Sequence, residues 1–512
     1  MVKLICVALS LLALTVVLFS PNLVSAGEST QDKCTSCRAL ADLNIKDTNI
    51  LSAVVVPPSN ELPEHCRVLG YVRPAIQFKI CLPTKDWNGK TFMKGCGGFC
   101  GRIVSNDGEL RKNYATSTMD SGHWGESAFD GRWAYYNRVA EVDWAHRAVH
   151  ETARVTKEVI EAFYGRKPDK SYFFGCSTGG RMAAMEALKY PEDFDGIICG
   201  APALDYTGLG AIFSSWTVQA NTDEHGKNII RSVDLELIQK AVLRACDELD
   251  GLADGMIEDP RYCEFDPDIL LCSQRDTADC LTAEQVQTLK LWYQGPRNSA
   301  GKQLYPGGLA LGSEQQWRLW HTGNSDDVGD EFYYLLGQDF LHYMAFQDDP
   351  GETFDIYDFD FDRDPPRLDY MAQIYNTVNP DLEKFRGKGG KLLIFHGWGD
   401  AGIPPWKTIE YYDAVEDRVG SREVTQDFIR LFLIPGMPHC SGPGYSFDIL
   451  SLLEEWVEHG KVPDTMRVTK KDSEENVEWI RDLFPYPMRT VYKGGGDPKD
   501  PSSYECKEPV KE

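Results

Sequence analysis

Short apolar runs alternate with helical stretches in two regions of the chain. Runs typical of buried strands lie at 77–81, 91–95, 171–174, 196–199, 391–395 and 429–434. Helical periodicity occupies 141–163, 181–189 and 447–459. Strands that alternate with helices predict a doubly wound, mostly parallel sheet with helices on both faces. We therefore expect an α/β fold.

A different pattern separates the two regions. From Asp205 to Gly390 the chain carries local cysteines, Asp-rich turns and many aromatic residues, as in the segment from Trp317 to Trp320. We interpret 205–390 as an inserted lid domain. The catalytic domain is then built from 27–204 and 391–512.

The N-terminus has the pattern of a secretory signal peptide. Lys3 precedes an apolar stretch at 4–19, a helix-breaking Pro21 and the small residues of Val24-Ser25-Ala26. We expect residues 1–26 to be removed and the mature chain to be secreted. An uncleaved membrane anchor is the alternative, although the apolar run is short for a span.

Charge and cysteine content narrow the class of protein. The formal charge of −25 argues against nucleic acid and anionic membrane surfaces as partners. After signal removal no further apolar stretch is long enough to predict a membrane span.

Fourteen of the fifteen cysteines remain, and in an exported chain they predict a disulfide framework. Cys34-Thr-Ser-Cys37 could alternatively be a redox motif.

The segment from Gly175 to Gly179 is a Gly-x-Ser-x-Gly pentapeptide between a predicted strand and a predicted helix. Glycines on both sides allow the sharp turn that presents a serine hydroxyl at a strand end. Ser177 is therefore the candidate nucleophile. An ordinary turn is the alternative interpretation.

A serine nucleophile needs a base and an orienting acid. His439 follows the predicted strand that ends at Ile434, and Asp400 closes the segment His396-Gly-Trp-Gly-Asp400 after another strand. The chain order Ser177, Asp400, His439 is the order of α/β-hydrolases. The sequence predicts these three residues as a catalytic triad.

Two cysteines adjoin the candidate nucleophile and base. Cys176 directly precedes Ser177, and Cys440 directly follows His439. If the serine and histidine are within hydrogen-bonding reach, a disulfide between their neighbours is geometrically plausible. Two unrelated buried thiols are the alternative.

Together these motifs resemble the tannase and feruloyl esterase family. The segment from Gly175 to Arg181, Asp400 and His439-Cys440 match its Cys-Ser, Asp, His-Cys arrangement, and 120–123 and 196–203 match as well. The resemblance implies an α/β-hydrolase core, a large lid and a disulfide between the two triad-adjacent cysteines. It also implies a carboxylic ester hydrolase that cleaves esters of aromatic acids, namely galloyl, feruloyl, related hydroxycinnamoyl or terephthalate half-esters.

An oxyanion hole must accompany such a triad. In this fold one donor is the backbone N–H after the nucleophile, here Thr178. The second is expected in the glycine-rich loop 95–98, with Gly97 favoured and Gly98 next. A purely structural glycine turn is the alternative there.

An acidic loop of the lid carries carboxylates and glycines at short intervals. Hard oxygen ligands on a turning loop suit Ca²⁺, while a solvated acidic turn is the ordinary interpretation. The family resemblance implies a structural Ca²⁺ site. Its ligands would be Asp247, Asp250 and Asp254 with the carbonyl groups of Leu252 and Met256.

The resemblance also implies two local lid disulfides, Cys246 to Cys263 and Cys272 to Cys280. One departure from the family concerns Phe484, which stands where relatives usually carry the cysteine that Cys506 would pair with. The sequence leaves open the pairing of Cys34, Cys37, Cys66, Cys81, Cys96, Cys100, Cys199 and Cys506.

Two alternative functions use the same fold. An acyltransferase would pass the acyl group to an alcohol instead of water, and an inactive hydrolase fold could serve only for binding. The acyl group and the alcohol are left open by the sequence. Aromatic residues of the lid could line the substrate site or belong to its core; they are Trp317, Trp320, Phe332 and Tyr333.

Overall fold

The computed structural model describes residues 35–59, 61–273 and 279–509 of the protein. The predicted signal peptide and Cys34 lie outside the described residues. Among the helices of the described part, none is long and apolar enough to cross a membrane.

A mixed sheet forms the centre of the fold. Within the described residues it contains nine strands: β1 (Thr48–Val56), β2 (His65–Val72), β3 (Ile76–Pro83), β4 (Lys90–Lys94), β5 (Ala115–Met119), β6 (Lys170–Cys176), β7 (Gly196–Gly200), β8 (Lys391–Gly397) and β9 (Ile429–Ile434). Their order is β1-β2-β3-β5-β4-β6-β7-β8-β9. The first three pairings are antiparallel and the remaining five are parallel. The predicted mostly parallel sheet is confirmed.

Helices cover the sheet and fill the region between β7 and β8. The α-helices are α1 (Asp107–Arg111), α2 (Arg138–Val142), α3 (Ala148–Tyr164), α4 (Thr178–Lys189), α5 (Ser214–Ala220), α6 (Leu235–Cys246), α7 (Ala283–Gln294), α8 (Phe332–Tyr343), α9 (Asp369–Tyr375), α10 (Glu383–Gly387), α11 (Trp406–Val419), α12 (Arg422–Gln426) and α13 (Ile449–His459). Wider π-helical turns lie at Asp143–Arg147, Gly208–Phe213 and Arg318–Thr322. Short 3₁₀ turns lie at Cys37–Asp42, Arg132–Ala134, Asp247–Asp250, Pro260–Tyr262, Pro267–Leu270, Glu314–Gln316, Gly351–Thr353, Ile356–Asp358, Pro365–Leu368 and Pro501–Ser503.

Both faces of the central strands are buried, which explains their continuous apolar runs. On β6, Phe173 packs into the larger core, whereas Tyr172 faces a second core that includes Trp456 of α13. Neighbouring residues of a strand point to opposite faces, so each strand supplies both cores. The sheet is therefore covered by helices on both sides.

The region between Gly200 and Lys391 contributes no strand to the main sheet in its described part. It consists of helices and turns tied by the disulfides Cys246–Cys263 and Cys272–Cys280. The chain therefore returns to the main sheet only at β8.

The C-terminal part of the chain adds two small sheets. One contains β10 (Tyr445–Ser446), β11 (Met466–Lys471) and β12 (Val477–Leu483), and the other pairs β13 (Arg489–Tyr492) with β14 (Tyr504–Lys507). Arg481 of β12 is completely buried and contacts Asp254 and Glu258, which lie between β7 and β8 in the chain. This ion-pair cluster connects that region to the C-terminal sheet.

Candidate active site

Ser177 occupies a sharp turn between β6 and α4. Its φ of 65° and ψ of −124° lie outside the ordinary regions for a residue with a side chain. A Cβ atom on Gly175 would lie 2.0 Å from the carbonyl oxygen of Gly179, so only glycine fits there. The turn therefore holds the serine in a strained conformation at the carboxyl end of a central strand.

Asp400 follows β8 and His439 follows β9, the two adjacent strands at the edge of the sheet beyond β7. Nδ1–H of His439 donates to Oδ2 of Asp400 at 2.8 Å. The other oxygen of Asp400, Oδ1, accepts the backbone N–H groups of Gly402 and Ile403 at 2.9 and 2.8 Å. Parallel strands end at one edge of the sheet, so residues far apart in sequence converge there.

The carboxyl group of Asp400 is completely buried. Burial opposes its ionisation, yet its pKa lies below the ordinary value because of the charge of His439 and hydrogen bonds from His396 and His439. The aspartate is therefore a carboxylate that fixes the imidazole with Nδ1 protonated. This leaves Nε2 of His439 available as an acceptor.

The sequence did not indicate a role for His396, four residues before Asp400. This imidazole is completely buried, and Nε2 lies 3.3 Å from Oδ2 of Asp400. Nε2–H also donates to the carbonyl group of Ile403 at 2.8 Å, and the hydroxyl of Thr408 donates to Nδ1 at 2.9 Å. The only feature of the sequence that could have indicated this contact is a histidine four residues before the candidate acid.

The structure joins Cys176 and Cys440 by a disulfide, with the Cα atoms 5.8 Å apart. The bridge spans 264 positions in sequence. It connects the turn of Ser177 directly to the loop of His439.

The glycine-rich loop after β4 packs against the N-terminus of α4. The hydroxyl of Thr178 donates to the carbonyl group of Gly98 at 2.7 Å, and Nε2–H of His123 donates to that of Phe99 at 2.7 Å. A disulfide between Cys96 and Cys100 closes the loop. Two hydrogen bonds and one disulfide therefore fix the conformation of this loop.

Gly97 and Gly98 have different environments. Gly98 has a φ of +57°, and its Cβ would lie 2.3 Å from the carbonyl oxygen of Ala128. Gly97 is exposed, and a Cβ there would meet nothing within 4 Å. In the described chain, neither backbone N–H donates to a protein acceptor. Both glycines and Thr178 line the same cavity as Ser177.

That cavity has a volume of about 640 Å³, within the range of small-molecule sites. Ser177 and His439 both line it. Its other walls are mainly apolar and include Phe129, Leu209, Leu319, Trp320, Phe332, Leu336 and Ile403. No Lys or Arg lies among the described residues of its lining.

A model of the tannase and feruloyl esterase family matches residues 61–507. The chain belongs to this family. It is a carboxylic ester hydrolase with an α/β-hydrolase fold.

Proteins from bacteria and fungi resemble the chain over most of its length. An uncharacterized esterase of Xanthomonas campestris is 33% identical over 97% of this chain and 96% of that protein. A mono(2-hydroxyethyl) terephthalate hydrolase of Piscinibacter sakaiensis is 32% identical over 88% and 85%. The crystal structure of feruloyl esterase B from Aspergillus oryzae superposes with a TM-score of 0.83 and 28% identity, covering 92% of this chain and 100% of that one.

The four lid aromatics divide between cavity and core. Trp320 and Phe332 line the cavity, and the ring of Trp320 stands edge-on to His439 with centroids 5.2 Å apart. Trp317 and Tyr333 are buried in the larger core. Helical spacing in the sequence did not separate these two roles.

The acidic lid loop follows α6. The carboxylate of Asp247 accepts the N–H groups of Asp254, Gly255 and Met256, while Asp254 is paired with Arg481 at 2.6 Å. Among the described residues, no three His, Cys, Asp or Glu side chains are grouped as a metal site.

The loop carries oxygen donors of the kind that a hard cation binds. Burial raises the pKa of Asp254 to about 6; Arg481 opposes that shift, whereas Asp250 and Asp247 add to it. Asp250 and Asp254 already lie 3.8 and 2.6 Å from the guanidinium of Arg481. Carboxylate and carbonyl oxygens are the ligands that Ca²⁺ prefers.

The remaining cysteines had no assigned partners in the sequence. The structure pairs Cys37 with Cys66, in addition to the Cys96–Cys100 bridge. Within the described residues Cys81, Cys199 and Cys506 are free, and Cys506 is exposed. Cys37 belongs to a disulfide, which disfavours the redox alternative for its motif.

Proposed function

We propose that the protein is an exported serine esterase that hydrolyses esters of aromatic carboxylic acids through an acyl-enzyme. The observation that carries the proposal is the pairing of His439 with the buried Asp400 in a cavity that also contains the strained Ser177. A nucleophile, base and orienting acid in this arrangement suit acyl transfer.

The mechanism follows from the protonation states of these groups. His439 holds its proton on Nδ1 against Asp400, so Nε2 takes the proton of the Ser177 hydroxyl as Oγ attacks the ester carbonyl carbon. The tetrahedral oxyanion is stabilised by the N–H of Thr178 and a glycine N–H of the loop 95–98. Collapse releases the alcohol, and water activated by His439 then cleaves the acyl-enzyme.

The cavity favours a neutral aromatic acyl group. The rings of Phe129, Trp320 and Phe332 supply an apolar wall, and the relatives include proteins named feruloyl esterase. A terephthalate half-ester would bring a carboxylate into a lining whose described residues include no Lys or Arg. Burying an unpaired charge is costly, so we infer a preference for feruloyl, caffeoyl or galloyl esters. Residues 205–390 act as the lid that carries Trp320 and Phe332.

A substrate panel with active-site variants tests this function. The turnover of four substrates is measured with wild type, Ser177→Ala and the exposed control Ser446→Ala. The substrates are methyl ferulate, methyl caffeate, methyl gallate and a terephthalate half-ester. We expect Ser177→Ala to lower kcat by at least about 1000-fold on every substrate, because the acyl-enzyme cannot form. Ser446→Ala should match wild type. Retained turnover by Ser177→Ala would exclude the mechanism, and preference for the half-ester would exclude the proposed specificity.

Export is supported by the five disulfides of the described residues and the signal-like N-terminus. Expression with the natural N-terminus should yield an extracellular chain that begins near Gly27. Intact-mass analysis of the medium checks this. A chain retained in the cells with residues 1–26 intact would contradict it.

We also propose that the acidic lid loop binds a structural Ca²⁺. Asp247, Asp250, Asp254 and the carbonyl groups of Leu252 and Met256 would hold the ion, which would offset the carboxylate charge. At about 100 times its dissociation constant such an ion stabilises the fold by about 2.7 kcal/mol. Chelator-treated wild type should bind Ca²⁺ in a calorimetric titration, and its Tm should rise when Ca²⁺ is added. Asp247→Asn should show neither effect. The control Asp417→Asn, at an exposed position of α11, should respond as wild type, and an unresponsive wild type would exclude the site.

A further inference from the structure

The segment 120–123 matches the family pattern but contributes no residue to the triad. It follows β5 and lies against the glycine-rich loop 95–101. The carbonyl group of its first residue accepts the N–H of Gly101 at 3.1 Å. The hydroxyl of Ser121 lies 3.2 Å from Sγ of Cys96, near the other end of the loop. The segment therefore supports the loop at both ends.

His123, the last residue of this segment, is only 9% exposed. Its Nε2–H donates to the carbonyl group of Phe99 at 2.7 Å, and its ring stacks on Trp133 with centroids 3.7 Å apart. Nδ1 has no hydrogen-bond partner among the described residues. Burial lowers the pKa of this imidazole to about 4, so the ring is neutral at neutral pH. Its single proton therefore belongs to Nε2 and to the bond with the loop.

The backbone of the loop leaves two donors free at the catalytic cavity. The N–H of Phe99 donates to the carbonyl group of Ala128 at 2.7 Å, and that of Cys100 donates to Gly97 at 3.0 Å. The N–H groups of Gly97 and Gly98 have no protein acceptor in the described chain. A backbone N–H without an acceptor beside a cavity is available for a ligand oxygen.

A disulfide of its own closes this loop. The bridge Cys96–Cys100 spans four positions and encloses both free glycines together with Phe99. The two cysteines are 5% and 7% exposed, so the bridge belongs to the interior. The hydrogen bond from His123 fixes Phe99 inside the same short ring of residues. The free N–H groups therefore lie between two restraints, one covalent and one a hydrogen bond.

The position of such donors matters most in the transition state. An oxyanion forms only when the nucleophile attacks, and its donors stabilise it best when they are already in place. A misplacement of about 1 Å can cost about 100-fold in rate. Glycine has the greatest backbone freedom of all residues, so a glycine-rich loop needs outside restraints to keep its donors fixed.

We propose that His123 and the Cys96–Cys100 disulfide are positioning residues of the oxyanion hole: they hold the glycine N–H groups of the loop in place at the cavity of Ser177. Neither touches the substrate. The inference rests on the proposed esterase function. It gives the segment 120–123 a role in the chemical step rather than in substrate binding.

Two substitutions of His123 test the hydrogen bond to the loop. Leucine cannot donate, whereas glutamine carries an amide N–H near the position of Nε2. We expect His123→Leu to lower kcat on methyl ferulate by about 10- to 100-fold with KM within about twofold of wild type. His123→Gln should keep kcat within about threefold of wild type, because the donor is restored.

The matched control is His65, a buried histidine of β2 that is 5% exposed and bonds to the carbonyl group of Pro63 at 3.0 Å. His65→Leu removes the same kind of hydrogen bond from a strand that contributes nothing to the cavity. It should lower Tm, as His123→Leu does, and leave kcat as in wild type.

Phenylboronic acid separates the oxyanion hole from ground-state binding. Oγ of Ser177 adds to boron and its proton passes to Nε2 of His439, which gives a tetrahedral anion with an oxygen in the oxyanion hole. The inhibition constant of this probe should rise in His123→Leu by the same factor by which kcat falls. Methyl ferulate should bind Ser177→Ala and Ser177→Ala/His123→Leu equally well in calorimetric titrations.

The double variant Cys96→Ala/Cys100→Ala tests the covalent restraint. A bridge over so few residues contributes little loop entropy, so this variant should fold even where His123→Leu does not. We expect kcat to fall by about tenfold or more with KM little changed. The control is Cys272→Ala/Cys280→Ala, which removes another short bridge, of 8 positions, and should keep the kcat of wild type.

Three results would overturn the positioning role. The first is an unchanged kcat in both His123→Leu and Cys96→Ala/Cys100→Ala. The second is a rise in KM that accounts for the whole loss of kcat/KM. The third is equal weakening of boronate and methyl ferulate binding, which would indicate a general distortion of the cavity.

Failure of the proposed function would look different. Wild type inert toward methyl ferulate, or retained turnover by Ser177→Ala, would contradict the esterase mechanism itself. The affinities of wild type and His123→Leu for phenylboronic acid would then still compare the two loops, and equal affinities would overturn the positioning role.

Discussion

Nε2 of His396 lies 3.3 Å from Oδ2 of Asp400, the same oxygen that accepts the hydrogen bond from His439. Two imidazoles thus converge on one buried carboxylate. His439 faces the cavity, whereas His396 is completely buried and bonded to Ile403 and Thr408. His396 is therefore a positioning residue for the triad, because it acts only through Asp400.

Loss of this contact should affect the chemical step more than substrate binding. We expect His396→Asn to lower kcat by about tenfold, the weight of one hydrogen bond to a charged group, with KM little changed. Thr408→Val, which removes only the hydroxyl partner of Nδ1, should have a smaller effect in the same direction. Steady-state kinetics with Tm as the folding check would measure both. A raised KM with unchanged kcat would argue against a positioning role.

The bridge between Cys176 and Cys440 should matter for both stability and turnover. Its sequence separation of 264 positions corresponds to about 5.6 kcal/mol in the chain-entropy model of disulfides. We expect the double variant Cys176→Ser/Cys440→Ser to have a lower Tm and a lower kcat, because the loop of His439 loses its covalent connection to the turn of Ser177. Thermal unfolding and kinetics under identical conditions measure these effects.

The control for this bridge is the lid pair Cys272–Cys280, which spans only 8 positions. Cys272→Ser/Cys280→Ser should lower stability by about 2.5 kcal/mol or less and leave kcat as in wild type. Equal losses of kcat in the two double variants would show that the first bridge has no special role in the site.

Alanine at the two loop glycines should affect stability unequally. Gly98→Ala places a side chain at positive φ and 2.3 Å from a backbone oxygen, so we expect a loss of about 1–3 kcal/mol. Gly97→Ala meets no atom within 4 Å and should change stability by less than about 0.5 kcal/mol. Urea unfolding of both variants is the measurement. Equal stability of the two would contradict the loop conformation.

Stability should fall in acid because of buried His321. Burial lowers its pKa to about 3. Its Nδ1 has no hydrogen-bond partner among the described residues, while Nε2–H donates to the carbonyl group of Ala401. The pKa of this histidine is about 6.5 in the unfolded chain and lower in the folded protein, so between the two values only the unfolded chain binds the proton. The free energy of unfolding therefore decreases by up to about 1.4 kcal/mol per pH unit as the pH falls through this window. His321→Gln should weaken this dependence, whereas the exposed control His225→Gln should not. Urea midpoints at pH 4.5, 5.5 and 6.5 give the slopes, and identical slopes for wild type and His321→Gln would refute the assignment.

Local patterns in the sequence predicted most of the parallel part of the sheet, whereas β1, β2 and β5 were not predicted. The apolar runs predicted β6 to β9, and the mostly parallel sheet follows because strands buried on both faces need helices on both sides. The order Ser177, Asp400, His439 could also be predicted, since each residue lies a few positions after a predicted strand. Helix 141–163 was less accurate, because a π-helical turn at Asp143–Arg147 interrupts it.

Through-space relationships were decided only by the tertiary structure. The contact of His396 with Asp400, the partners of Cys37 and Cys96, and the placement of Trp320 rather than Trp317 at the cavity all depend on how distant segments pack. The sequence by itself determined the strand-and-helix order and the chemical groups at the strand ends, because both are local properties of the chain. The cavity, its lining and the geometry of the triad were determined by the tertiary structure, because they depend on distances between residues far apart in sequence.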